Sequence, residues 1–226
     1  AITIGNASSP NLTAGSGNLY IKSGLTLANG ATFNTGTSSL YIVGTQTIGP
    51  AAGGTATLQN SGGYVYVNTN YNPAGETLTL GSGLTFRSTS YGGFYDYSYG
   101  NGRLTNNGTI DAATGANFYI SNGVFTNNGT VKASGGTLNL NPTSFSNVGA
   151  IAQSAGVINL GGNYALGSWG TISRTGGAFN LTGTLDLGSG TLDIGSATFG
   201  TGGLSAINSG TVKNGTVMSG DGTVLN

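Results

Sequence analysis

Leu104-Thr-Asn-Asn-Gly-Thr-Ile110, Phe125-Thr-Asn-Asn-Gly-Thr-Val131, Phe145-Ser-Asn-Val-Gly-Ala-Ile151 and Leu166-Gly-Ser-Trp-Gly-Thr-Ile172 are four copies of one phrase, spaced 21, 20 and 21 residues apart. A second phrase keeps the same beat: Gly136-Thr-Leu-Asn-Leu140, Gly156-Val-Ile-Asn-Leu160 and Gly177-Ala-Phe-Asn-Leu181. In each unit two apolar side chains point one way and the polar residues between them point the other, the pattern of a short strand with one buried face. Drift by a single residue would turn every apolar side chain outward, so two phrases held in step fix the register. A period of about 20 residues is too short for a four-stranded propeller blade and suits one coil of a parallel β-helix.

The expected fold is therefore an all-β parallel β-helix, or β-solenoid, of 20–21 residues per coil. Roughly ten coils at about 4.8 Å each make a rod on the order of 50 Å long. Stacking predicts four inward columns: Phe118, Leu138, Ile158 and Phe179; Ile120, Leu140, Leu160 and Leu181; Leu104, Phe125, Phe145 and Leu166; Ile110, Val131, Ile151 and Ile172. Asn106, Asn127 and Asn147 align as a ladder of amides, with Ser168 next in line. Gly108, Gly129, Gly149 and Gly170 align too, read as a turn that uses glycine's freedom at positive φ. No window carries apolar residues at helical spacing.

The chain reads as one domain over 1–226. Residues 1–103 form irregular coils, 104–195 regular coils and 196–226 terminal coils. The phrases LTNNGTIDA, FTNNGTVKA and GGTLNL resemble the repeats of bacterial surface β-helix proteins, the haemagglutinin-type adhesins and autotransporter passenger domains. The resemblance lies over residues 104–195. It implies an exported, right-handed β-helix at a bacterial surface, serving adhesion, a coat or a matrix. That group has no single functional site to carry over.

Composition narrows the chemistry. Among 226 residues, 44 are Gly, none is Cys or His, charged residues are 5%, and six bases balance six acids. So few cations leave no footprint for nucleic acid or an anionic membrane. Without His or Cys there is no imidazole base, no thiolate, no disulfide and no usual zinc site. No apolar run reaches membrane-spanning length. No cofactor is expected. The acids, Glu76, Asp96, Asp111, Asp186, Asp193 and Asp221, are scattered. Asp186 and Asp193 sit in near-duplicate strands, seven residues apart, and read as outward solvated groups rather than a glycosidase pair. Thr-X-Thr occurs only in isolated places such as Thr45-Gln-Thr47 and Thr77-Leu-Thr79, short of the array that ice binding needs.

Two features point to contact with a partner. Tyr20, Tyr41, Tyr66 and Tyr119 each lie between inward apolar residues, so they project outward as one stripe, read first as a ladder that shields the sheet face by stacking and second as a contact surface for a partner subunit or sugars. Residues 88–103 break the pattern and read as a loop out from one coil, with Tyr91, Phe94, Tyr95, Tyr97 and Tyr99 as contacts and Arg87 and Arg103 at its edges. The start at Ala1-Ile2-Thr3-Ile4 suits a mature chain, and the end at Val224-Leu225 carries no capping helix. Ile2, Ile4, Val224 and Leu225 are then the assembly ends of a rod that stacks on itself. The expected function is non-enzymatic: a secreted or surface subunit that builds a homopolymer head to tail. The alternatives are an adhesin segment that binds glycans or a host surface and, ranked lower, a polysaccharide-active enzyme.

Overall fold

The computed structural model describes residues 2–4, 11–98 and 100–225. Almost every regular element is a short strand, and every pairing is parallel. Successive strands visit three faces in turn, so each sheet collects every third strand of the sequence. One face runs from strand Ile2–Ile4 to Ser144–Asn147 and is continued by Asn163–Ala165, Thr184–Asp186 and Thr211–Lys213. The second runs from Asn11–Thr13 to Thr171–Arg174, and the third has nine strands from Asn18–Ile21 to Ala206–Ile207. The result is a three-sided β-solenoid.

The coils number about nine, with about 23 residues each, against the expected ten of 20–21. The regular coils do keep the shorter period: Asn127 bonds to Asn106 across 21 residues and to Asn147 across 20. The mean rises because other coils carry long turns, above all over 68–76, where Glu76 reaches Gly44 across 32 residues.

The predicted columns form the core. Phe118, Leu138, Ile158 and Phe179 lie in register, as do Ile120, Leu140, Leu160 and Leu181, and all eight are buried. Ile110, Val131, Ile151 and Ile172 lie in register on the second face, the first three buried and Ile172 partly so. Phe125 stacks on Phe145 at 5.4 Å between ring centroids. The next ring in that column is Tyr164, not Leu166: Tyr164 meets Phe145 edge-on at 5.6 Å, and Leu166 is exposed. Tyr164 tolerates the site because its hydroxyl donates to the Leu140 carbonyl at 2.6 Å.

The amide ladder is present and interior. Asn106 Nδ2 donates to Asn127 Oδ1 at 2.7 Å, and Asn127 Nδ2 to Asn147 Oδ1 at 2.8 Å. It ends there: Asn147 Nδ2 donates to the Trp169 carbonyl, and the Ser168 hydroxyl is buried without a partner. The glycine row has a different cause from the one expected. Of Gly108, Gly129, Gly149 and Gly170, only Gly170 has positive φ, at 65°. At Gly129 a Cβ would fall 2.1 Å from the Gly108 carbonyl oxygen, and at Gly149 2.0 Å from that of Gly129. Close stacking of the turns excludes every side chain there.

Residues 88–103 are not one loop. Tyr91–Asp96 is a strand of the third face, in register with Gly63–Val67 on one side and Asn117–Ser121 on the other. Phe94 is wholly buried between Val65 and Ile120, so it is core and not a contact. The turn after Asp96 does depart from the sheet, braced by Asp96, which accepts the amide hydrogens of Ser98 and Gly102.

Candidate functional site

The third face changes chemistry along its length. One outward column carries tyrosine through the early coils, and its neighbour passes from tyrosine to asparagine in the later ones. The first reads Tyr20, Tyr41, Tyr66 and Tyr95 and continues to Ser121. The second reads Asn18, Ser39, Tyr64, Gly93, Tyr119, Asn139, Asn159 and Asn180. Tyr119 thus belongs to the second column, two residues from the one expected for it. Strand Gly63–Val67 carries an outward tyrosine in each of the two columns, Tyr66 in the first and Tyr64 in the second.

The rings touch in a continuous sheet. Tyr20 stacks on Tyr41 at 4.9 Å, and Tyr41 lies 5.0 Å from Tyr66. Tyr64 meets Tyr95 edge-on at 5.2 Å, and Tyr91 lies 5.8 Å from Tyr119. Tyr97 closes over Tyr41, Tyr66 and Tyr71 with edge contacts of 5.5 to 5.7 Å. Loss of water around the hydroxyls, with neighbouring phenols adding to it, raises the pKa of Tyr41, Tyr64, Tyr66 and Tyr95. Four tyrosines still present wide surface: Tyr71 58%, Tyr20 54%, Tyr91 49% and Tyr97 41% exposed. Tyr99 lies outside the described residues.

The long turn over 68–76 forms a wall beside this face. Between them runs a groove of about 330 Å³, lined by Tyr20, Tyr41, Tyr71 and Tyr97 with Lys22, Val43, Thr69 and Asn70. The wall holds two non-glycine residues at positive φ, Asn68 at 62° and Tyr71 at 55°. Glu76 sits at its base, 4% exposed. One carboxylate oxygen accepts from Asn70 Nδ2 at 2.8 Å and the other from the Gly44 amide at 3.2 Å. Among the described residues no cation pairs with it. The far side of the turn is tied down by Arg103 Nη1, which donates to the Ala74 carbonyl, and by Asn101 Nδ2, which donates to that of Pro73.

The other acids are placed apart and serve backbone groups. Asp186 accepts from the Gly188 amide and from Asn214 and lies 3.6 Å from Lys213, which together hold its carboxyl below the usual range. Asp193 is not its neighbour in the sheet: Asp186 pairs in register with Ala165 and Lys213, Asp193 with Met218. Asp193 and Asp221 both approach Gly195, and each accepts backbone hydrogens there. Asp111, buried on the second face, lies 3.6 Å from Lys132. Among the described residues no group of three acids gathers in one place. The paired threonines do not extend: the column of Thr47, Thr79, Thr105 and Thr126 faces Arg103 and Val124 where a second threonine column would continue.

At the ends, Ile2 and Ile4 pair along the backbone with Leu25 and Leu27, Val224 is exposed, and Leu225 packs partly against the core. Three features escaped the sequence reading. Arg174 is buried at a corner, donating to the Gly176, Gly177 and Gly203 carbonyls. Asn117, Asn139, Asn159 and Asn180 form a second, outer amide ladder at 2.8 to 3.0 Å. The Asn70–Glu76 bond joins residues whose types alone give no sign of pairing. The outer ladder did have a signal, since Asn139, Asn159 and Asn180 hold one position of the second repeated phrase. Comparison with family models, with curated proteins and with solved structures finds no match to this chain.

Proposed function

We propose that this chain is a non-enzymatic contact module of a surface fibre, a stiff β-solenoid that displays its tyrosine face to a partner. The observation that carries the reading is the contiguous set of exposed rings on one half of one face. Tyrosine gives rigid apolar area at low entropic cost, with a polar tip that stays satisfied in water or in an interface. Soluble chains rarely leave such a patch uncovered without using it. The near absence of charge suits a surface that grips by shape and hydrogen bonding rather than by ionic attraction. The resemblance of the repeats to bacterial surface β-helix proteins supports a place outside the cell.

The test is adhesion. Beads coated with the protein are applied to bacterial, epithelial and polysaccharide-coated surfaces under flow. Beads that carry Tyr20→Ser, Tyr91→Ser and Tyr97→Ser together should detach at low shear on at least one surface that retains the wild type. Equal retention of both proteins on every surface would refute the reading.

Self-assembly remains a second reading, favoured by one feature. Among the described residues, strands Ala206–Ile207, Thr211–Lys213 and Thr216–Met218 pair on one side only. Their free edges can accept a further coil, from the same polypeptide or from a second molecule. Light scattering against concentration separates a growing filament from a single rod.

A further inference from the structure

We infer that the groove between the tyrosine face and the 68–76 turn is a saccharide-binding site, taking one pyranose ring of a glycan chain. The inference rests on the contact reading above and adds the ligand class and the residues that hold it. Its size, about 330 Å³, falls at the lower end of small-ligand sites. A pyranose has a flat C–H face and a rim of hydroxyls. Tyr20, Tyr41 and Tyr97 line the groove with aromatic surface for the first. Thr69, Asn70 and Lys22 offer hydrogen-bonding groups to the second. Among the described lining residues Lys22 alone is charged, so nothing in the groove repels a neutral sugar.

The second observation is the support beneath the groove. A carboxylate buried without a cation is costly, and this chain has few charges of any kind. Glu76 serves Asn70 and the Gly44 amide, which fixes the Asn70 amide with Nδ2 inward and leaves its Oδ1 as the free acceptor. Thr69 is pinned in the same way, its hydroxyl donating to the Ile42 carbonyl at 2.7 Å and its lone pairs left to accept. Both side chains are thus set before a ligand arrives, the arrangement that cuts the ordering cost of binding. The third observation is backbone strain at the same wall. An aromatic residue at positive φ is an outlier, and Tyr71 sits there with its ring against Tyr97. Strain of this kind persists where a side chain must be aimed.

The test is saturation-transfer NMR on the full chain with cellotetraose, chitotetraose, mannotetraose and tetragalacturonate, plus a proline-rich peptide as the competing occupant. At least one sugar is expected to bind at about 1 mM or tighter. Tyr97→Ala should weaken it about tenfold, and Asn70→Ala, which spares the tyrosine face, at least threefold. Glu76→Gln should weaken it about fivefold, because the amide disorders the Asn70 contact. Tyr91→Ala lies on the same face but outside the groove and should leave the sugar affinity unchanged. Transfer to no sugar, or to the peptide alone, overturns the proposal. So does an equal loss in Tyr91→Ala and Tyr97→Ala, which would leave the tyrosine face as a general contact surface. Tyrosine-dependent bead adhesion that none of these sugars inhibits would likewise sink the saccharide site and leave the contact module standing.

Discussion

The two asparagine ladders allow a controlled experiment on what a buried amide contributes. Asn127 and Asn159 each link an amide below to an amide above through two hydrogen bonds of nearly equal length. Asn127 is wholly buried, and its Nδ2 also points at the carbonyls of Gly129 at 3.2 Å and Ala150 at 3.3 Å. Asn159 faces outward, half-buried, with no such carbonyls. In Asn127→Ala the two amide bonds go, each with a net contribution of about 1 kcal/mol. The wholly buried Asn106 Nδ2 then loses its 2.7 Å acceptor in a place where water has little access, which adds about 1 kcal/mol of desolvation left uncompensated. The expected loss is about 3 kcal/mol. In Asn159→Ala water replaces the lost partners, and the expected loss is about 0.5–1 kcal/mol. Urea unfolding of both variants, followed by circular dichroism, reads the difference, provided the slope with denaturant is unchanged. Because solenoids can unfold in pieces, amide hydrogen exchange at Gly129 and Gly161 should report the same order locally. Equal losses in the two variants would refute the claim that burial, rather than amide pairing itself, sets the worth of the inner ladder.

Other outcomes follow from the same fold. Gly129→Ala should cost about 3 kcal/mol through overpacking, because its Cβ meets a carbonyl oxygen, whereas Gly167→Ala, at positive φ in open space, should cost about 1 kcal/mol; thermal melts compare them. Asp221 is held well below the usual carboxylate range by the hydroxyls and amides of Ser196 and Thr223. A carboxyl depressed on folding contributes stability that is full above its unfolded value near pH ~4 and fades as the pH falls toward the folded one. The 196–225 region should therefore loosen first in acid, and Asp221→Asn should remove that dependence in exchange measurements. The tyrosine face gives the opposite sign at high pH. Phenols whose pKa folding raises favour the folded state less once the unfolded chain ionises above pH ~10. Tyrosinate absorbance should lag for these groups and then rise together with unfolding.

Legibility in the sequence tracked the length of the turns. Where the connections are short, as from Leu104 to Leu181, the apolar positions recur at a fixed interval and the columns could be written down in advance. Where a coil carries a long turn, the interval breaks while the register does not: Leu80 still faces Ile48, though the turn over 68–76 lies between them. A period search sees the broken interval and misses the intact register. Residues 91–96 misled for a related reason. Tyr91-Gly-Gly-Phe94-Tyr95 alternates outward and inward like any other strand, but glycine occupies one inward and one outward place, so the alternation is invisible in hydrophobicity. At Gly92 a Cβ would lie 2.2 Å from the Gly63 carbonyl oxygen, which explains the residue and hides the strand at once. The Glu76–Asn70 pair was beyond reach, since only the three-dimensional path of the turn brings the Gly44 amide to the same carboxylate.

The change from tyrosine to asparagine along one face bears on which features exist for the fold and which for contact. Tyr119 and Asn139 are adjacent in one column, on neighbouring strands of equal pairing. Both residue types can stack coil on coil, the one by ring contact and the other by amide bonds. Stability therefore does not require tyrosine at these positions, because the next coils hold together without it. What tyrosine adds is apolar area that water wets poorly, and three rings of the face, Tyr20, Tyr41 and Tyr97, line the groove beside the 68–76 turn. An architectural requirement would act on every coil alike. Rings gathered on one stretch of the face, with a turn standing beside part of it, are the pattern expected of a contact surface with two walls.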